Sequence, residues 1–208
     1  MFDPNPEHLR LDECEREFMK LLHPLIPSPR AAKRFVNVYR LLRTSVNANE
    51  RAAFVRENKD GEYRAVQLLL AIQTGYPEQA TEIIRDLFEE NSRESWWDFI
   101  HKYEEKYGEL EEERPAALAA RAAAKGVAVQ TGGSPAGPVG TAPAVAEAGR
   151  RLEAERWRQF LDRLNRLSSH ILVAKSCDDF VKWAPRVARY SFQSARVLQL
   201  TAPRERDW

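Results

Sequence analysis

The sequence predicts an all-α protein, a multi-helix bundle with a disordered Ala/Gly/Pro-rich linker before its C-terminal helices. Two observations predict it. Apolar residues recur at spacings of three and four along most of the chain, and no stretch alternates with period two between turn signals. The expected boundaries are a helical bundle over 1–107, a low-complexity linker over 108–149, and a C-terminal helical segment over 150–208 that packs back on the bundle.

Each element follows from a local signal. Cys14, Phe18, Leu21 and Leu25 recur at i, i+4, i+7 and i+11, giving an amphipathic helix from about Leu11 to Leu22 that Pro24 and Pro27 end. Ser28 is a natural N-cap with Pro29 at the first helical position, and the helix it opens runs to about Val46. The polar "NANE" separates that helix from a third near Glu50 to Glu57, and "KDG" breaks the chain again. Tyr63 to Thr74 is apolar on nearly all sides, as a buried central helix should be, and Gly75 closes it. A helix beginning at Pro77 carries Ala80, Ile83, Ile84, Leu87 and Phe88 on one stripe; the next carries Trp96, Ile100, Tyr103 and Tyr107. Beyond Gly108 the chain reads "ELEEE", "PAALAARAAAKG" and "TGGSPAGPVGTAPA", with too little apolar surface to offset its ordering entropy. Leu152, Trp157, Phe160, Leu161, Leu164, Leu167 and Ile171 then mark a long amphipathic helix. A shorter one follows, capped at Asp178 or Asp179, with Pro185 kinking or splitting it.

Composition narrows the function. The 208 residues include 32 basic and 31 acidic side chains, so no overall field draws the chain to nucleic acid or anionic lipid, and anion recognition must be local. Cys14 and Cys177 lie far apart and read as reduced thiols of a cytoplasmic protein. His8, His23, His101 and His170 are scattered without metal-ligand spacing, so no metal site is expected. The start, "MFDPNPEHLRLDECE", is too polar for a signal peptide. The most apolar run, Ala65 to Ile72, falls far short of the ~20 residues that span a bilayer.

The most distinctive stretch is "IPSPRAAKRFVNVYRLLR", Ile26 to Arg43, with five cationic side chains between Arg30 and Arg43 and no acid from Ser28 to Val46. At 100° per residue, Ala31, Phe35, Val38, Leu42 and Val46 share one side, while Arg30, Lys33, Arg34, Asn37 and Arg40 share the other. Free N–H groups in the first turn add to the positive potential around Arg30, a combination that suits phosphate. The plain alternative is a solvated polar face, but such faces usually mix signs to gain i,i+4 pairs, and this one does not. Nucleic acid draws weak support, because the stripe lacks aromatic stacking residues. The pairs Glu89/Glu90 and Asp178/Asp179 read as a solvated helix end and an N-cap, and the consecutive Ser168, Ser169 and His170 face different ways on a helix. No catalytic residue is expected. Adjacent Trp96 and Trp97 cannot both enter one core seam, which leaves an apolar dock for a protein partner there.

The run "FMKLLHPLIPSPRAAKRFVNVYRLLR" resembles the segment that follows the nucleotide-binding core in bacterial KAP-type P-loop NTPases, relatives of the STAND and AAA+ ATPases. The resemblance continues through "YRAVQLLLAIQTGYPE" and "WAPRVARYSF". It implies a helical lid or regulatory region in which Arg30 matches the "sensor 2" arginine that reaches a γ-phosphate. Lys33, Arg34 and Asn37 match the family pattern, and Phe35, Tyr39 and Leu42 look like packing residues. Nothing in the chain fits G-x-x-x-x-G-K-[ST], and no strand ends in paired acids for Mg²⁺. The expectation is therefore a chain without enzymatic activity and with no cofactor of its own, in which ATP and Mg²⁺ enter only through a core. That core either precedes Met1 in a longer parent or belongs to a partner chain, unless the activity has been lost. The runner-up is a helical interaction module whose basic face docks an acidic protein or nucleic acid.

Overall fold

The computed structural model describes residues 10–56, 61–89, 95–107, 142–168 and 177–191, with side chains in the 142–168 helix described from 148 onward. The protein is all-α, with no strand among the described residues. Its helices are α1 (Glu13–Leu21), α2 (Pro29–Thr44), α3 (Ala48–Phe54), α4 (Tyr63–Gly75), α5 (Pro77–Glu89), α6 (96–107), α7 (Ala142–Ser168) and α8 (Asp178–Ala188), with a 3₁₀ turn at His23–Leu25. The expected linker lies largely outside the described residues, and its last part, 142–149, belongs to α7 instead. Alanine is the best helix former, and Pro143 stands in the first turn, where its missing N–H removes no intrahelical bond.

The chain divides into two compact units, one of Met1–Phe99 with Arg163–Trp208 and one of Ile100–Asp162. The first is built around α4, buried from Ala65 through Gln73, with α1, α2, α5 and α8 packed on it. Gly75 ends α4 because of space: a Cβ there would lie 1.9 Å from the Leu25 carbonyl oxygen, so only glycine lets the 3₁₀ turn approach. On α5 the stripe holds as the spacing predicts, with Ala80, Ile83, Ile84 and Leu87 buried and Phe88 shallower.

On α1 the buried face is rotated from the expected one. Leu21 is 39% exposed, Cys14 is half-buried, and Glu15, Phe18 and the following Leu22 occupy the interior. A buried carboxylate moved the face, because hydrophobic periodicity does not register it. At α8 the N-cap residue is Cys177, not Asp178 or Asp179, and no side chain caps the helix. Pro185 sits inside a single continuous helix. Phe180 stacks on Trp96 at 3.9 Å between ring centroids, and Trp183 packs against Phe54 at 5.1 Å. Around this aromatic seam, Glu62 accepts from Lys182 Nζ (2.6 and 2.8 Å) and Trp183 Nε1 (2.7 Å), while Glu50 accepts two bonds from Arg186 at 2.9 and 3.0 Å.

In the second unit, the rings of Tyr103 and Tyr107 lie parallel to Trp157 at 4.6 and 4.8 Å, and Phe160 meets the same indole edge-on. Leu152, expected on the buried stripe, is 56% exposed, and Ala154 is buried in the same stretch.

Candidate functional site

The site grows from α2. Ser28 is in extended backbone and its Oγ accepts the Ala31 N–H at 3.2 Å, so the N-cap forms as the sequence predicts. Phe35, Tyr39, Leu42 and Arg43 are buried, which fixes the rotation of the helix and decides what faces out. The outward arc carries Arg30, Lys33, Arg34, Asn37, Leu41 and Thr44, all exposed, with Arg40 half-buried at its edge. Val38 and Val46, expected inside, are only half-buried. Their place in the core is taken by Tyr39 and Arg43.

Arg43 behaves unlike the other cations of this helix. Its side chain is 4% exposed and its Nε donates to Glu15 Oε1 at 2.9 Å, while Nη2 donates to Asp12 Oδ2 at 2.9 Å. Tyr39 Oη donates to the same Glu15 Oε1 at 2.5 Å, one turn away on α2. Glu15 Oε2 accepts the Asp12 N–H at 2.7 Å, closing a capping box at the start of α1. Gln67 of α4 donates to the Glu15 carbonyl at 3.2 Å. Three helices thus meet at one buried residue, α2 on the Glu15 carboxylate and α4 on its carbonyl. Burial, reinforced by the Glu15 carboxylate, pushes the Tyr39 hydroxyl well above the usual tyrosine range, so it remains a donor. Burial works against charge on Arg43, but Glu15 and Asp12 outweigh it and raise its pKa.

Arg30, Lys33, Arg34 and Arg40 make no ion pair with a described residue, and the buried Nε of Arg40 has no hydrogen-bond partner. The structure therefore keeps four of the five cations together on one flank and withdraws the fifth into the core. A pocket of about 50 Å³ opens at the far end of α2, lined by Arg43, Thr44, Val46, Arg51, Phe54 and Val55. That volume holds a few waters at most, and it lies away from Arg30.

The other candidates separate. Trp96 is fully buried beneath Phe180, so the surface expected at Trp96 and Trp97 narrows to the half-buried Trp97. Neither Cys14 nor Cys177 is in a disulfide, and Cys177 is buried. Among the described residues no group of His, Cys, Asp and Glu has the arrangement of a metal site, and no helix is long and apolar enough to cross a membrane. Glu90, Ser169 and His170 lie outside the described residues, as does His8. The Glu15 network escaped the hydrophobic pattern, but two signals pointed to it: Asp12 with Glu15 is a capping-box spacing, and Gln67 is an amide inside an apolar run. Compared with family models, with curated proteins and with solved structures, the chain matches none.

Proposed function

We propose that this chain is a non-catalytic helical regulatory module that uses the outer face of α2 to engage a P-loop NTPase core of KAP type, with Arg30 meeting the γ-phosphate of the nucleotide held there. One observation carries the reading: in a chain of net charge +1, Arg30, Lys33 and Arg34, with Arg40 at their edge, pair with no described residue on the outer flank of a firmly anchored helix. Like charges held side by side repel, and an anionic partner relieves that repulsion. Anchoring matters equally. The Glu15 hub grips α2 at Tyr39 and Arg43, so the flank is presented at fixed orientation instead of being ordered during binding. An arginine on a γ-phosphate has different contacts in the triphosphate and diphosphate states, which is the differential affinity that a conformational response requires.

Leu41 supports the second reading, a module docking on an acidic protein surface. It is 57% exposed on the cationic flank and gives that flank an apolar contact that suits protein better than nucleic acid. The test mixes the chain with a KAP-type P-loop core and follows ATP turnover. The wild type alters turnover, and Arg30→Ala loses the effect while keeping the wild-type melting temperature. Unchanged regulation by Arg30→Ala, with binding abolished by Leu41→Asp, replaces the nucleotide-sensing reading with the acidic-surface reading.

A further inference from the structure

From Arg30 onward, every exposed position of α2 falls on one narrow ridge. Arg30, Arg34, Asn37, Leu41 and Thr44 follow one another at steps of four, three, four and three, with Lys33 beside them. At 100° per residue these six cover an arc of only about 100°, and the shoulders, Val38 on one side and Arg40 on the other, are half-buried. Alternating steps of three and four are the spacing of a seam that faces another helix. On such a seam, residues at i, i+3, i+4 and i+7 surround a hole that accepts one side chain of the facing helix. Arg30, Lys33, Arg34 and Asn37 surround a first hole; Asn37, Arg40, Leu41 and Thr44 surround a second, one heptad further on. The two differ in chemistry. Around the first stand three exposed cations that pair with no described residue. At the second stands Leu41, 57% exposed, and Thr44 Oγ1 turns back to donate to the Leu41 carbonyl at 2.7 Å, so that hydroxyl asks nothing of a partner.

We propose that this ridge takes one acidic amphipathic helix from a protein partner, laid antiparallel along α2, with an apolar side chain in the Leu41 hole and a carboxylate seven residues later in the Arg30 hole. Charge complementarity sets the acid, and Leu41 sets the apolar position. The spacing sets the helix: a strand repeats every two residues and cannot stay in step with threes and fours over the ridge, about 21 Å long at 1.5 Å per residue. Antiparallel packing brings the negative C-terminal end of the partner's dipole to the cationic first turns of α2. The proposal rests on the acidic-surface reading and narrows it to one kind of element and one spacing.

The experiment is fluorescence anisotropy of the full chain with two labelled peptides of Ala, Glu and Leu, identical in composition, capped at both ends and helical by circular dichroism. The first carries Leu and, seven residues later, Glu on a single stripe; the second has the same residues shuffled so that they point all round. The wild type binds the stripe peptide at least about tenfold more tightly than the shuffled one, and the affinity falls as salt rises. Lys33→Glu with Arg34→Glu, and separately Leu41→Asp, each weaken the stripe peptide by at least about tenfold while keeping the wild-type melting temperature. Equal binding of the two peptides overturns the helix and leaves the acidic-surface reading standing. Binding of neither overturns both and leaves the nucleotide reading, which ATP turnover with the core reads separately. Unchanged affinity in Leu41→Asp also overturns the proposal. If a variant melts early, the comparison of the two peptides on the wild type still decides.

Discussion

The two ends of α2 carry the same residue types and meet opposite fates. Arg43 is buried, held by Glu15 and Asp12, and belongs to the machinery of folding. Arg30, Lys33 and Arg34, roughly two and a half to three and a half turns earlier, face outward with no described acid in reach. Sequence counts all of them as one acid-free charge run. What separates them is an acid on α1, 28 residues before Arg43, that local spacing cannot see. The lesson is that a run of cations identifies function only after long-range partners have claimed their share.

The largest expected effects fall on buried groups. Phe180→Ala removes the ring stacked on Trp96 and should weaken the seat of α8 by about 3–5 kcal/mol. At the buried end of α2, Glu15→Ala removes the buried acceptor of Tyr39 Oη and Arg43 Nε, leaving Arg43 only its Nη2 bond to Asp12 among the acids named, and should destabilise by about 3 kcal/mol, read by chemical denaturation. Gly75→Ala forces the Leu25 carbonyl away and should destabilise by about 1–3 kcal/mol, with Gly149→Ala, where nothing lies nearby, as the benign control.

Smaller effects come from the rim of α8, and here pH gives the sign. The Arg186 hydrogen bonds hold the Glu50 carboxyl below its ordinary range. Its folded pKa is thus lower than its unfolded one, and its contribution, present at neutral pH, is lost as pH falls through the folded value. Asp179 runs the other way. Burial, with Glu62 nearby, pushes its carboxyl up, so its ionisation opposes folding at neutral pH and the penalty fades on acidification. Asp179→Asn should therefore raise the melting temperature at pH 7 and flatten the acid side of the stability profile. Arg30→Ala, Lys33→Ala and Arg34→Ala should each leave stability within about 0.5 kcal/mol of wild type. A substantial loss in any of them would erase the contrast between the two ends.

Much of the architecture was legible because α4, α5 and α6 bury by apolar character alone. The mostly apolar run of α4, the stripe on α5 up to Leu87, and Trp96, Ile100, Tyr103 and Tyr107 on α6 are interior. Legibility failed where polar groups are buried or where space decides. Glu15 displaced Leu21 from the core because its charge is matched by Arg43, and Arg43 displaced Val46 on α2 for the same reason. The role of Gly75 depends on a carbonyl fifty residues earlier in sequence, not on helix-ending chemistry. The outward placement of Arg30, Lys33, Arg34 and Asn37 followed from angle alone, since Phe35 and Leu42 were enough to orient the helix. Arg40 lies at the edge, neither fully in the face nor out of it.

The most direct test of the central claim is calorimetric titration of the chain into an ATP-loaded KAP-type P-loop core, comparing wild type with the triple variant R30A/K33A/R34A. The account predicts that the variant melts as the wild type does and binds at least about a hundredfold more weakly, as loss of two or more charge-assisted contacts implies. Equal affinity from a correctly folded triple variant would contradict it.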